Sequence, residues 1–277
     1  MRSLTLRRTG LEIVAVLVAT AVFIVPFVFM FLTAAKDSTD AEALTFSLPK
    51  SWPIVDNVKE VFSANDNQLV TAFRNSIILT VVSVTVLVII CAMAGFVVQR
   101  RPGKVSSSVS MLVLTGLIIP PAVVPTIWVL QELHLFKTMT GLILVEVAFN
   151  MPFCILLFRA FIAAIPRELD EAAILDGCSG FTLFWRVIFP LLRPVTITVI
   201  LTTSVAIFND FVNPLYFLPG EENATVQLTL YNFLSQYTSQ YNLLFMNIVL
   251  ITVPPLILFI FFNRKIVSGM TAGAIKG

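Results

Sequence analysis

Long apolar runs separated by short polar breaks dominate this chain. Hydropathy places the runs near 11–33, 70–98, 109–131, 141–162, 195–218 and 243–262. Each is about 20 residues or longer, which lets an α-helix cross roughly 30 Å of hydrocarbon. The pattern predicts an all-α, polytopic membrane protein with six transmembrane helices, and a single domain over 1–277 is the simplest organisation. The polar break at 163–194 carries a pattern of its own. Pro166 is followed by Glu168, Asp170 and Glu171, then Gly177, then the aromatic stretch Phe181–Phe189. Proline suits the first helical position, and carboxylates in a first turn favour the positive end of the helix dipole. Glycine takes the left-handed conformation freely, whereas other residues pay about 1–2 kcal/mol there. The break therefore predicts a helix, a glycine turn and a second helix, lying at the membrane surface and facing water.

Composition agrees with the pattern and narrows it. Hydrophobic residues make up 57% of the chain and charged ones 12%, with a mean hydropathy of +0.93. Soluble domains carry about 25% charge, so that class is excluded. The net charge of +2 forms no basic cluster dense enough for nucleic acid. Cys91, Cys154 and Cys178 have no spacing that suggests a metal or a disulfide framework, and read as small apolar fillers. Arg2, Arg7 and Arg8 precede the first run, and Thr33-Ala34-Ala35 faintly resembles a cleavage site. A signal peptide has an apolar region of only about 7–15 residues, so this run reads as an uncleaved first span.

Basic residues set the expected orientation. With the N-terminus inside, the inner segments hold Arg2, Arg7, Arg8, Arg100, Arg101, Lys104, Arg159, Arg167, Arg186, Arg193, Arg264, Lys265 and Lys276. Only Lys36, Lys50, Lys59, Arg74 and Lys137 remain outside. Both termini are then cytoplasmic, which requires an even number of spans, and 163–194 lies in the cytosol. The outer face receives an acidic loop near 34–69 and a loop near 219–242 rich in amides and hydroxyls.

Candidate chemistry sits in few places. No G-x-x-x-x-G-K-[ST] occurs, since Gly103-Lys104 lacks both the upstream glycine and the hydroxyl residue, so energy must come from another chain or an ion gradient. Pro120, Pro121 and Pro125 are expected to break the third span, Asn150 and Pro152 the fourth, and Pro254-Pro255 the sixth, either as gating helices around a path or as static kinks. Glu146 and Asp210 are carboxylates within hydrocarbon, costly unless they face a cavity or a partner, and so are functional candidates. Asn209, Asp210 and Asn213 are expected on one helical face. They could pair with sugar hydroxyls or with a partner subunit; with Glu146 and Asn150 they form the candidate substrate path. His134, alone in an outer loop, reads as a solvated residue, and Glu12 takes no role. The helix over 163–194 presents Leu169, Ala172, Ala173 and Leu175 either to a groove on another protein or to lipid headgroups.

A family resemblance bears on that choice. Glu171-Ala172-Ala173, three residues, Gly177, nine further residues and then Val187-Ile188-Phe189-Pro190 resemble the EAA loop of inner-membrane permease subunits of binding-protein-dependent ABC importers. Val187 and Phe189 replace the usual isoleucine and leucine, and Cys178 stands where alanine is common. Asn75-Ser76 and the end of the chain, Gly269–Gly277, resemble the carbohydrate-uptake, maltose-type branch. The resemblance implies that Glu171, Ala172, Ala173, Asp176, Gly177 and Pro190 couple the chain to two cytosolic ABC ATPase subunits, which would hold the ATP and Mg. It implies no cofactor, metal or catalysis in this chain. It also implies a second homologous permease (a homodimer stays open), an extracytoplasmic solute-binding protein, a sugar-class substrate and a prokaryotic plasma membrane. The terminal tail would reach towards the ATPases. The rival reading is an ion-coupled secondary transporter using Glu146 and Asp210. A nearer rival is the same importer carrying a polyol, a glycerophosphate ester or an amino acid.

Overall fold

The computed structural model describes the backbone of residues 2–234 and 239–274, and the side chains of 12–234 and 239–261. Its helices are α1 (Arg2–Ala34), α2 (Ser38–Glu42), α3 (Ile54–Arg100), α4 (Lys104–Ile118), α5 (Val123–Glu132), α6 (Met139–Ala163), α7 (Glu168–Leu175), α8 (Gly180–Leu191), α9 (Arg193–Phe208), α10 (Val212–Phe217) and α11 (Tyr241–Ala274). Short 3₁₀ turns occupy Glu221–Asn223 and Leu228–Phe233. Every apolar run found in the sequence folds into one or two helices, and the described residues contain no strand. The fold is that of an all-α polytopic membrane protein.

The runs are not six unbroken spans. α1 from Glu12, α3, α6 and α11 to Phe261 are each long and apolar enough to cross a bilayer, and the bent pair α8–α9 reaches that length and apolarity only when its two helices are taken together. The third expected span is split into α4 and α5 at Ile119–Ala122, where Pro120 and Pro121 supply no N–H and push the preceding residue out of the helical region. The fifth is split into α9 and α10 at Asn209–Phe211. The expected breaks in the fourth and sixth spans are absent: α6 runs through Pro152, and α11 through Pro254 and Pro255. Proline is tolerated inside a membrane helix where neighbouring groups or local adjustment satisfy the carbonyls it frees.

The chain divides into two compact units, Met1–Val70 with Thr229–Val253, and Thr71–Leu228 with Pro254–Gly277. In the first unit, the loop after α1 is built around Lys36, whose side chain is wholly buried. Its ammonium donates to the Thr45 carbonyl at 2.8 Å and to Ser47 Oγ at 3.1 Å. Asn57 Nδ2 donates to the Ala34 and Lys36 carbonyls, both at 2.9 Å, and its Oδ1 accepts from Asn242 Nδ2 at 3.1 Å. Asp37 caps α2: Oδ1 accepts from the Asp40 amide and Thr39 Oγ1, and Oδ2 from Ser51 Oγ. These donors hold its carboxyl at about 2, below the ordinary 3.8, the Asp40 amide contributing most. α3 is interrupted by Asn65, Asp66 and Asn67, three successive left-handed residues, and the run expected at 70–98 begins just after them.

In the second unit α6 is central, packing against α4, α9 and α10. Its buried residues include Leu142, Val145, Cys154, Ile155, Phe158 and Ile162. α3 approaches it closely at Gly95, where a Cβ would stand 3.1 Å from Phe158 Cβ and 3.2 Å from the Arg159 nitrogen. The Asn75-Ser76 pair has a structural task. Asn75 Nδ2 donates to the Glu222 and Ala224 carbonyls, and Ser76 Oγ accepts from the Val226 amide, which pins the 221–226 segment to α3.

Candidate functional site

The polar break at 163–194 folds into the helix, glycine turn and second helix that its residues predict. α7 carries Glu168, Asp170 and Glu171 in its first turn. Pro166 lies two positions before the first helical residue, outside the helix and ahead of the Arg167 cap. At the other end Gly177 has φ +82°, the Gly177 amide donates to the Ile174 carbonyl at 3.0 Å, and the Cys178 amide donates to Ala173 at 2.9 Å. This crossed pair is the Schellman ending, with glycine at the left-handed position it requires. Nothing lies within 4 Å of where a Gly177 Cβ would be, so backbone conformation rather than space selects glycine.

The second helix, α8, contains a wide π turn over Leu183–Ile188, closed by the Phe189 amide on the Phe184 carbonyl. It lies directly before Pro190, whose ring would clash with the Arg186 carbonyl in a regular α-helix. α8 then meets α9 at an angle of 75°. Phe184, Trp185 and Phe189 form one aromatic cluster, with ring centroids 4.9–5.8 Å apart.

Burial sorts the expected docking residues. Leu175 is 88% exposed, and Ile174, Leu169, Ala172 and Phe181 also face outwards. Ala173 was expected on that surface; it is instead 8% exposed and part of the unit's own core. The reason is helical geometry, since Ala173 lies on the face of α7 that packs on α8. Glu171, Asp176 and Pro190 are exposed.

The substrate-path candidates come together in a second place, a cavity of about 460 Å³ lined by Glu146, Asn150, Asp210 and Asn213 with Pro121 and Phe149. Glu146 is buried. Its Oε1 accepts from Asn213 Nδ2 at 3.1 Å and its Oε2 from Asn150 Nδ2 at 3.3 Å; the same Asn150 amide also donates to the Glu146 carbonyl at 2.9 Å. The Asp210 carboxyl lines the same cavity wall as Glu146. The shared helical face expected for Asn209, Asp210 and Asn213 does not exist, because the helix ends between them. Asp210 Oδ1 accepts from the Val212 and Asn213 amides and so starts α10. Asn209 turns away and accepts from Gln227 Nε2 at 3.0 Å. His134 is exposed with φ +55°, in keeping with a solvated loop residue. Of the tail, Gly269–Ala274 is helical in backbone, while its side chains and residues 275–277 lie outside the described residues.

Sequence reasoning missed several contributors. Arg100 sits within ion-pair distance of Asp170, Phe149 lines the cavity, and so does Pro121, although it was expected only to bend a helix. In the sequence Arg100 is one of two adjacent arginines ending a span, and nothing there separates it from Arg101.

Known proteins decide the family. The model of the family described as "Binding-protein-dependent transport system inner membrane component" matches residues 87–272. This chain belongs to that family. The permease is 33% identical over 262 residues to the probable starch degradation products transport system permease protein AmyC of Thermoanaerobacterium thermosulfurigenes, covering 94% of each chain. It is 28% identical over 271 residues to the melibiose/raffinose/stachyose import permease protein MelC of Bacillus subtilis (strain 168), covering 96% of each. Its fold matches a chain of a bacterial ABC transporter involved in the import of the acidic polysaccharide alginate, with a TM-score of 0.79 at 18% identity, over 95% of this chain and 96% of that one. The permease is thus a non-catalytic, multi-pass membrane subunit of a binding-protein-dependent system.

Proposed function

We propose that this permease forms, with a second homologous permease, the membrane path of an ATP-driven importer for a sugar or sugar-like solute. Two cytosolic ABC ATPases, holding ATP and Mg, dock on the 163–194 loop of each permease. A solute-binding protein delivers cargo from outside, and both termini of this chain lie in the cytoplasm of a prokaryotic cell. The observation that carries the docking step is the α7–Gly177–α8 unit with Leu175, Ile174 and Phe181 exposed on one device. A large aliphatic side chain gains about 1.5–3 kcal/mol when buried, so a partner covering these residues binds appreciably through them alone. Relatives named for starch products and for melibiose, raffinose and stachyose support sugar as the cargo class. Family membership displaces the ion-coupled reading of Glu146 and Asp210. In its place, Glu146, Asn150, Asp210 and Asn213 offer carboxylate and amide groups to hydroxyls passing through the cavity.

ATP-driven closure of the ATPases pulls on the docking helices and reorients the spans between inward- and outward-facing states, a coupling that needs two global states which ligands favour differently. The test is purification of the tagged permease from its native membrane in mild detergent, beside Gly177→Asp. Recovery of a Walker-type ATPase and a second permease with the wild type, and loss of the ATPase alone with the variant, is the expected result. Recovery of this chain by itself in both cases would sink the docking step.

A further inference from the structure

The loop at 163–194 is fastened to α3 by contacts that the docking surface does not involve. Arg100, the last residue of α3, turns its guanidinium onto the first turn of α7. Its Nε stands 2.7 Å from Asp170 Oδ2, while Nη2 donates to Asp170 Oδ1 at 3.4 Å and to the Ile165 carbonyl at 2.9 Å. The two side chains are only 9% and 14% exposed. A planar guanidinium can engage both carboxylate oxygens and a carbonyl together, whereas an ammonium is a single point charge. Four residues earlier, on the same face of α3, the Phe96 ring stands 5.5 Å from the Phe184 ring of α8. One face of the last turn of α3 therefore holds both arms of the loop, α7 by charge and α8 by ring contact. Arg101, the next residue, lies over Gly180 and is exposed.

α6 and α9 continue from the two ends of the loop through the backbone, but α3 has no such connection and must be joined to it by side chains. We propose that Arg100 is a positioning residue for transport, locking the loop to α3 through Asp170 and the Ile165 carbonyl. When the ATPases displace the loop, α3 then moves with it as one body. Without Arg100 the loop would shift while α3 stayed behind, and nucleotide-driven motion would no longer reach this helix. The proposal rests on the reading that the loop docks ATPases.

The test uses the whole complex, purified through this chain, with Cys91, Cys154 and Cys178 replaced by alanine. Spin labels are placed by Val82→Cys on α3 and Arg186→Cys on α8, and their separation is measured without nucleotide and after trapping with ATP, Mg and vanadate. In the otherwise wild-type complex the separation is expected to stay constant between the two states. In Arg100→Ala it should start at the same value and change on trapping by about 2 Å or more, the scale of helix shifts in switching proteins. Arg100→Lys should fall between, and the exchange Arg100→Asp with Asp170→Arg should restore constancy. Equal starting values with unequal trapped values separate a coupling role from a merely structural one. A constant separation in Arg100→Ala overturns the proposal, as does a changing separation in the wild type. A wild-type complex that contains no ATPase overturns the docking reading itself, and the proposal with it.

Discussion

The loop at 163–194 and the cavity around Glu146 are both candidate functional regions, but they are built on opposite plans. The loop is continuous in sequence, and its form follows from local backbone rules: acidic first turn, left-handed Gly177, proline-adjacent wide turn. The cavity gathers residues from α6, from Asp210 between α9 and α10, from Asn213 in α10, and from the break ahead of α5. Polar groups at its wall satisfy one another, Asn213 and Asn150 on Glu146, whereas the apolar groups of the loop are left open. Within this chain, then, the cavity's polar groups are met and the loop's apolar groups are not.

That contrast can be broken experimentally, and the largest effect is expected in the cavity. Glu146→Ala removes the side-chain acceptor of Asn213 and one of the two acceptors of Asn150, costing up to about 3 kcal/mol. Thermal unfolding of the purified permease should show this loss, while ATPase recovery per folded molecule stays at the wild-type level. A fall in ATPase recovery without a fall in melting temperature would erase the distinction between the regions.

Next in size is the loop. Leu175→Ala removes an exposed side chain, so the permease alone should melt as the wild type does. Its affinity for the ATPase, measured by titration, should fall roughly 10- to 100-fold, the equivalent of about 1.5–3 kcal/mol. Ala173→Leu should do the reverse: its face is already filled, and overpacking costs about 1–3 kcal/mol of stability. Equal effects of the two changes on docking would mean that burial within the isolated chain does not sort them.

Gly177 gives a smaller and sharper readout. Gly177→Ala should destabilise the end of α7 by about 1 kcal/mol, and Gly177→Asn by less, because asparagine tolerates the left-handed region. Hydrogen exchange at the Cys178 amide reports the Schellman bond directly, and an order of Ala below Asn below Gly in protection is expected. Smallest is the acid dependence of α2. The Asp37 carboxyl is held at about 2 against an ordinary 3.8, so its cap is fully present above pH 3.8 and is lost as pH falls through about 2. Exchange protection over Ser38–Glu42 should drop across that window in the wild type and be nearly flat in Asp37→Asn.

Several features are legible in the sequence because they depend on near neighbours along the chain. The apolar runs, the Gly177 turn and the break at Pro120-Pro121 all follow from hydropathy or from the backbone limits of single residues. The errors are equally informative. Pro152, Pro254 and Pro255 are expected to break helices and do not, since the carbonyls that proline frees in a membrane helix can be satisfied by neighbouring groups or local adjustment. Asn209, Asp210 and Asn213 were expected on one face, but that argument assumes a continuous helix, and Asp210 itself caps a new one.

The membrane class, the helical content and the shape of the 163–194 loop were determined by the sequence alone. Each depends on residue hydrophobicity or on φ and ψ preferences, which act over a few positions. Tertiary structure alone decided that Glu146 meets Asn213, that Ala173 faces inwards while Leu175 does not, and that Arg100 rather than Arg101 reaches Asp170. Those outcomes turn on which faces of separate helices meet, and that is set by close packing such as α3 against α6 at Gly95, which no local preference encodes.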